Sequence, residues 1–221
     1  TTALNLGHAL AELERRVVLI HLDPQASLTV AAGAGDRAGC SMAEVLLGGL
    51  SLSDVLLPME GRLNLAPGDI QLSEVELILV GKMGRESVLK KALAPMARSY
   101  DYCLLDLPPS LGLLTVNGLA AAESVLIPAI PQYLDQRALR IFFRTIDKVR
   151  EELNNSLVVL GVLPTFYDAR LKLHGETLEA WLLAGLPVLP MRVRRSVRVA
   201  ESPIGGQPVA AYSPEHAEPY R

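Results

Sequence analysis

Short, almost continuously apolar runs recur along the chain. The clearest are Val17–Leu22, Tyr102–Leu107, Ser124–Ala129 and Leu157–Leu163. Strands that are buried on both faces of a parallel sheet are apolar at nearly every position, whereas strands with one solvated face alternate apolar and polar residues. The run Val17–Leu22 therefore predicts a buried parallel strand, and the other three runs predict further strands.

Stretches with apolar residues at helical spacing separate the runs, beginning with the stripe formed by Leu6, Leu10 and Leu13. The predicted helices are Leu4–Leu13, Leu72–Leu79, Ser87–Arg98, Leu113–Ala122, Leu134–Leu153 and Leu173–Leu183, and two weaker strands are predicted at Leu63–Ala66 and Val188–Pro190. Strands and helices that alternate with short connections predict an α/β fold, a doubly wound, mostly parallel sheet with helices on both faces.

The domain organisation follows from the same pattern. The alternation continues along the whole chain, so residues 1–221 are expected to form a single domain. Residues 33–62 interrupt it with Gly and Ser and only one small helix near Ala43–Leu47, so we interpret them as a peripheral insertion.

Composition and charge narrow the function classes. Half of the residues are hydrophobic and only 5% are aromatic, which favours an α/β core over a β-sandwich. Neither the two cysteines nor the four histidines have metal-ligand spacing, which argues against a metal hydrolase. The net charge of −3 requires any polyanion site to be a local patch. Without a signal peptide or an apolar run of about 20 residues, the sequence predicts a soluble, intracellular protein.

Two predicted strands end in an acid that is followed by proline. Asp23 ends the first run before Pro24, and Asp106 lies at the end of the second before Pro108. Ligands of doubly wound sheets bind beyond the carboxyl ends of the strands, where a carboxylate can hold Mg²⁺ or orient an attacking water. Each acid alone is also compatible with a simple strand-ending turn, but the two together indicate a nucleotide site.

Four segments in order carry a family resemblance: TTALNLGHALAELERRVVLIHLDPQASLT, YDYCLLDLPPSLGLLTVNGLAAAESVLIPA, VLPTFYDAR and SVRVAESPIGGQPV. Over essentially its whole length the chain resembles the ParA/Soj family of deviant P-loop partitioning ATPases, which are related to MinD. The resemblance implies a SIMIBI-like P-loop NTPase fold with ATP and Mg²⁺ as cofactors. It also implies that a strand and a KGGxGKT loop precede Thr1 and that a last helix follows Arg221. The alternative is a paralogue that has lost the loop.

The resemblance assigns roles to the residues of the expected nucleotide site. Asp23 corresponds to the catalytic carboxylate that positions the hydrolytic water, and Asp106 to the acid that supports Mg²⁺ through water. Thr1 and Thr2 correspond to the last residues of the phosphate-binding loop, and Thr1 is itself the Mg²⁺ ligand only if it directly follows the loop lysine.

The sequence departs from the family pattern at two places in the nucleotide site. His21 stands where the family commonly has Asp in DxDPQ, and we interpret it as a tolerated variant beside the site. Arg194 and Ser196 align with the Pro and Asn that contact adenine in relatives, so adenine recognition by that loop is in doubt.

An arginine-rich stretch, MRVRRSVR, contains Arg192, Arg194, Arg195 and Arg198. Runs of charge are usually solvated surface, but Arg170 and Arg198 match family positions that bind DNA non-specifically, and arginine binds phosphates bidentately. We therefore expect Arg170, Arg192, Arg195 and Arg198 to bind DNA.

The implied function is ATP-dependent chromosome or plasmid partitioning in the bacterial cytoplasm, on the nucleoid. ATP would close a homodimer, the dimer would bind DNA non-specifically, and a ParB-like centromere-binding protein would stimulate hydrolysis and release. Two alternatives remain open, a MinD-like ATPase switch on a membrane surface and a non-catalytic DNA-binding or regulatory paralogue. The membrane alternative needs a basic amphipathic helix, which is not found in the chain, so no membrane partner is expected.

Overall fold

The computed structural model describes residues 1–221, except for the side chains of residues 133–136. It divides the chain into two compact units where the sequence predicts one domain. The first consists of Thr1–Ala121 and Arg198–Arg221, and the second of Ala122–Val197.

The first unit contains a four-stranded sheet. Its strands are β1 (Val17–His21), β2 (Leu57–Pro58), β3 (Leu63–Ala66) and β4 (Tyr102–Asp106), in the spatial order β2-β3-β1-β4. Strand β1 pairs in parallel with both β3 and β4, and β2 is antiparallel to β3. The mostly parallel sheet predicted from the apolar runs is therefore confirmed.

Helices of the first unit connect and flank these strands. They are α1 (Thr2–Glu12), α2 (Ser27–Ala31), α3 (Met42–Leu47), α4 (Leu52–Val55), α5 (Leu72–Leu79), α6 (Val88–Leu93) and α7 (Leu113–Ala121), followed after the second unit by α10 (Val197–Glu201) and α11 (Val209–Tyr212). None of the described helices is long and apolar enough to cross a membrane.

Strand β1 is the centre of the hydrophobic core, and all of its residues are buried. Val18 and Ile20 belong to a cluster that includes side chains of α3, α5 and α7. Val17 and Leu19 belong to a second cluster with side chains of α1 and α2. Because successive strand residues point to opposite faces, helices cover both faces of this sheet, which confirms the doubly wound architecture.

The segment 33–62, predicted to be a peripheral insertion, contributes side chains to the hydrophobic core. Met42, Leu46, Leu52 and Val55 are buried in the same cluster as Ile20 of β1. A capping box at Ser41 begins α3, since the Ser41 side chain accepts a hydrogen bond from the backbone N–H of Ala43 and the Glu44 carboxylate accepts one from the backbone N–H of Ser41. The helices α3 and α4 of segment 33–62 therefore form part of one layer of the core.

The second unit contains a two-stranded parallel sheet with two helices. Its elements are β5 (Ser124–Ala129), α8 (Tyr133–Glu152), β6 (Val158–Pro164) and α9 (Lys172–Leu183). The strand predicted around Val188–Pro190 is only an isolated bridge between Val188 and Val162. Pro187 and Pro190 flank this bridge, and proline lacks the N–H that would extend a strand ladder.

One predicted helix in the first unit is shorter than expected. The sequence predicts a helix over Ser87–Arg98, whereas α6 ends at Leu93 and a 3₁₀ turn, Ala94–Met96, follows. Pro95 explains the early end, because proline has no N–H for the helical ladder and its ring clashes with the preceding turn.

Gly68 allows the chain after β3 to pass close to the end of β1. A Cβ atom at this position would lie 2.5 Å from the backbone oxygen of His21. We expect Gly68→Ala to lower the free energy of unfolding by about 1–3 kcal/mol, because the backbone of β1 must shift. The midpoint of urea unfolding tests this, with Gly39→Ala as control, because a Cβ at Gly39 meets nothing within 4 Å. Equal midpoints for the two variants would contradict the close approach.

Candidate nucleotide-binding site

The carboxyl ends of β1 and β4 bring the two predicted acids together. His21 is paired in register with Asp106, and the Leu22 N–H donates a 2.9 Å hydrogen bond to the Asp106 backbone oxygen. Asp23 follows directly. Burial raises the pKa of the Asp106 carboxyl above its usual value, and the Asp23 carboxylate adds to this shift. The backbone nitrogen of Thr1, just before α1, lies within interaction range of the same carboxyl. Asp23, Asp106 and the start of α1 therefore lie within electrostatic reach of one another.

Asp23 also organises the turn that leads from β1 into α2. Its Oδ1 accepts a 3.0 Å hydrogen bond from the Gln25 N–H, and Ala26 adopts a left-handed conformation with φ 55° immediately before the helix. Such an Asx-turn is also expected if Asp23 serves only to end the strand. The geometry thus places Asp23 beside Asp106, and it is compatible both with a nucleotide site and with a simple strand-ending turn.

The amino-terminal end of α1 supplies the positive side of the site. No acidic residue occupies its first turn, and the Thr1 side chain forms no capping hydrogen bond. The first N–H groups of a helix and its dipole favour a bound anion. Asn5 connects this end of α1 to α11. Its side chain donates to the Thr1 backbone oxygen at 2.9 Å and accepts from the Val209 N–H at 2.7 Å.

Thr2 has a contact that the sequence does not predict. Burial raises the pKa of the Tyr220 phenol, and a hydrogen bond with the Thr2 side chain partly offsets that increase. The Thr2 hydroxyl therefore has a protein partner in the C-terminal segment. Its role in nucleotide binding stays a prediction.

His21 is completely buried beside the two acids. Burial lowers the pKa of its imidazole to about 4, and the Asp23 carboxylate opposes that shift only in part, so His21 is neutral near pH 7. Its Nδ1 accepts from the backbone N–H of Thr29 at 3.2 Å, and the Thr29 hydroxyl lies 2.8 Å away. The sequence predicts that His21 lies beside the site. It does not predict a role for Thr29, which is only one residue of the DPQASLT segment.

The loop after Asp106 is fixed by side chains of α7 and α5. The Thr115 hydroxyl donates to the Ser110 backbone oxygen at 2.6 Å. Glu76 of α5 accepts from the Leu114 N–H at 3.3 Å, at the start of α7. Sequence reasoning missed Glu76, because nothing in its local pattern distinguishes it from the solvated acids of an amphipathic helix.

The side chains present fit a magnesium ion that is held mainly by a nucleotide. Among the described side chains, no group of three or more His, Cys, Asp or Glu could hold a metal ion alone. Mg²⁺ at phosphate-transfer sites is commonly bound by one or two carboxylates together with water and substrate phosphates. Asp106, half-buried and close to Asp23, matches that kind of donor set.

The expected DNA-binding arginines occur in both units. Arg170, Arg192, Arg194 and Arg195, the arginine cluster, belong to the second unit, whereas Arg198 belongs to the first. All five side chains are exposed. Arg194 and Ser196, expected near adenine, belong to the second unit and Asp106 to the first, so their place in the nucleotide site stays a prediction.

Tyr167 is the centre of the arginine cluster. The Arg192 guanidinium lies 4.6 Å from the centre of the Tyr167 ring, and the backbone of Tyr167 forms a bridge with Arg194. Arg170 donates to the Asp168 carboxylate through its Nε at 3.0 Å and its Nη2 at 2.7 Å, which holds the pKa of Asp168 well below its usual value. The sequence does not predict these interactions.

Arg198, in the first unit, also has an acidic partner. Its Nη1 donates to the Glu201 carboxylate at 3.1 Å. Among the described residues, Arg194 and Arg195 form no ion pair. The two arginines selected by family resemblance are therefore partly neutralised, whereas two others in the cluster are not.

Comparison with known proteins agrees with this geometry. A family model described as an AAA domain matches residues 1–159. The chain is 39% identical to the chromosome partitioning protein ParA of Myxococcus xanthus, over 96% of this chain and 76% of that protein. It is 36% identical to the sporulation initiation inhibitor protein Soj of Bacillus subtilis, over 97% of this chain and 86% of that protein.

A solved structure extends the similarity to three dimensions. The cobyrinic acid a,c-diamide synthase of Mycobacterium smegmatis, crystallised with an ATP analogue and magnesium, is 38% identical, with a TM-score of 0.84 over 93% of this chain and 84% of that one. The sheet, its flanking helices and these relatives together establish the family, and the chain belongs to the ParA/Soj family of P-loop ATPases.

Proposed function

We propose that this chain is an ATP-dependent partitioning protein that binds Mg²⁺·ATP at the carboxyl end of its sheet and binds DNA through exposed arginines. The observation that carries the nucleotide part is the convergence of Asp23, Asp106 and the start of α1 at one edge of the first unit. The relatives named ParA and Soj support the biological part.

Within this site, each group has a distinct task. The N–H groups at the start of α1 bind phosphate oxygens, with Thr1 and Thr2 beside them. Asp106 would hold Mg²⁺ through water, and the ion would supply positive charge beside the phosphates. Asp23 orients the attacking water. The Asx-turn uses one oxygen of Asp23, which leaves the other oxygen to accept a hydrogen bond from that water.

The arginine cluster is the proposed DNA-binding surface of the second unit, and Arg198 is the proposed DNA contact of the first. Arg194 and Arg195 are exposed and form no ion pair with the described residues, so they can approach phosphates directly. Arg170 and Arg198 are paired at the surface, where ion pairs are weak, so phosphate can compete with Asp168 and Glu201 for them. Counterion release would drive this binding.

Assembly and location follow from the relatives alone. We propose an ATP-dependent homodimer in the cytoplasm, associated with the nucleoid, with a ParB-like centromere-binding protein that stimulates hydrolysis. The names of the relatives, chromosome partitioning protein and Soj, support this part.

A second candidate function is ATP-dependent amide synthesis. The solved relative from Mycobacterium smegmatis is named a cobyrinic acid a,c-diamide synthase, and it is as similar in sequence as the partitioning proteins. The two candidates differ in one measurable property. Partitioning ATPases should hydrolyse ATP faster with DNA and a partner protein, whereas a synthase should require cobyrinic acid.

Asp23→Ala should lower the rate of ATP hydrolysis by about 100-fold or more, because the attacking water loses its orienting group, while ATP affinity is retained. Asp69→Ala is a matched control, since Asp69 closes the same kind of turn by accepting from the Gln71 N–H at 2.9 Å. Steady-state hydrolysis and equilibrium ATP binding, measured on the intact protein, separate the two roles of Asp23. Equal, small effects of both substitutions would show that Asp23 is only a turn residue.

Replacing both Arg194 and Arg195 with Ala should weaken DNA binding and lower the slope of log K against log salt by about 1.8, since each phosphate contact contributes about 0.9. Fluorescence anisotropy with a labelled duplex at several salt concentrations measures this slope. Arg62→Ala serves as a control, because Arg62 is an exposed arginine paired with Glu14. A slope that is unchanged in the double variant would contradict the proposed surface.

A further inference from the structure

The imidazole of His21 has a defined orientation, and the proposed function assigns no role to this side chain. One ring nitrogen, Nδ1, faces the first turn of α2, where the backbone N–H of Thr29 donates to it at 3.2 Å. A backbone N–H can only donate, so Nδ1 carries no proton. With Nδ1 unprotonated, the Thr29 hydroxyl donates its proton to Nδ1 at 2.8 Å and accepts from the Gly68 N–H at 3.0 Å, which fixes the position of Thr29.

The other ring nitrogen of a neutral imidazole must then carry the proton. This Nε2–H is completely buried and has no hydrogen-bond partner among the described residues. The Asp106 Oδ2 lies 3.8 Å from Nε2, somewhat beyond hydrogen-bonding distance. A buried donor without a partner is rare in folded proteins and calls for an explanation.

The two side chains differ in their freedom to move. His21 is fully buried and held by Thr29, whereas 31% of the Asp106 side chain is exposed. A small rotation of the Asp106 carboxylate therefore suffices to bring Oδ2 within reach of the fixed N–H.

We propose that His21 is a positioning residue for the metal site, donating its Nε2–H to Oδ2 of Asp106 when that carboxylate faces Mg²⁺. This rests on the proposed role of Asp106 in nucleotide binding. The hydrogen bond occupies one oxygen and leaves the other for the metal's water shell. Because Nε2 carries a proton, the imidazole cannot itself coordinate the metal through that atom.

Nitrogen-detected histidine spectra of the intact protein test the hydrogen bond directly. We expect the Nε2–H tautomer of His21 and a downfield shift of its Hε2 proton when Mg²⁺ and ATP are added, and we expect Asp106→Asn and Asp106→Ala to reduce or abolish that shift. His174 is an internal control, because its Nδ1 also accepts a backbone N–H, from Asp168 at 3.0 Å. Its spectrum should not respond to the change at Asp106.

The substitutions His21→Asn and His21→Gln distinguish a role in positioning Asp106 from a role in packing alone. The amide nitrogen of Gln can take the place of Nε2, whereas Asn retains only the group near Nδ1. Mn²⁺ affinity in the presence of ATP, measured by electron paramagnetic resonance, should fall by about 10-fold in His21→Asn and be restored in His21→Gln.

The outcomes are distinguishable. Loss of Mn²⁺ affinity in both variants, with an Nδ1–H tautomer in the wild type, would make His21 a direct metal ligand and overturn the proposal. Normal binding of Mg²⁺ and ATP without any change at Hε2 would overturn the proposal but leave the proposed function intact. Absence of Mg²⁺·ATP binding would overturn both.

Discussion

The parallel pairing of β1 with β4 is the constraint on which the rest of the site depends. In-register pairing places His21 opposite Asp106 and brings Asp23 immediately beyond the same edge. Each residue of β1 is buried between helices on the two faces, so the strand cannot slip without exposing its apolar side chains. The hydrophobic core therefore fixes the positions of the charged groups.

The electrostatic character of the site follows from that placement. Burial at the rim of the hydrophobic core disfavours ionisation of Asp106 and raises its pKa, and the nearby Asp23 carboxylate adds to this shift. In the proposed site, a divalent cation would relieve the repulsion between the two carboxylates, and the start of α1 would provide donors for the anion that accompanies the cation. His21 of β1, which is neutral near pH 7, adds no third negative charge.

Much of the fold could be predicted from the sequence, because buried parallel strands and amphipathic helices have distinct periodicities. The limits of β3, α5 and β5 agree with the predicted Leu63–Ala66, Leu72–Leu79 and Ser124–Ala129. Segment 33–62 was harder to interpret, because its short helices bury apolar residues through contacts that are distant in sequence. Proline accounts for the shortened α6 and for the isolated bridge at Val188.

Only those residues of the candidate site could be predicted that combine a reactive side chain with a position at the end of a strand. Asp23 and Asp106 stand at strand ends, so parallel topology alone brings them together. The partners that tune the site were not predictable, because Thr29 reaches His21 through tertiary structure. The bidentate pairing of Arg170 with Asp168 was not predicted either.

The most direct test of the account is to locate the metal relative to the two acids. Mn²⁺ and ATP should be titrated into protein labelled with ¹³C at the aspartate carboxyl carbons. The account predicts that the resonances of Asp23 and Asp106 broaden first, while Asp101, next to the opposite end of β4, is unaffected. Broadening of Asp101 without Asp23 and Asp106 would contradict it.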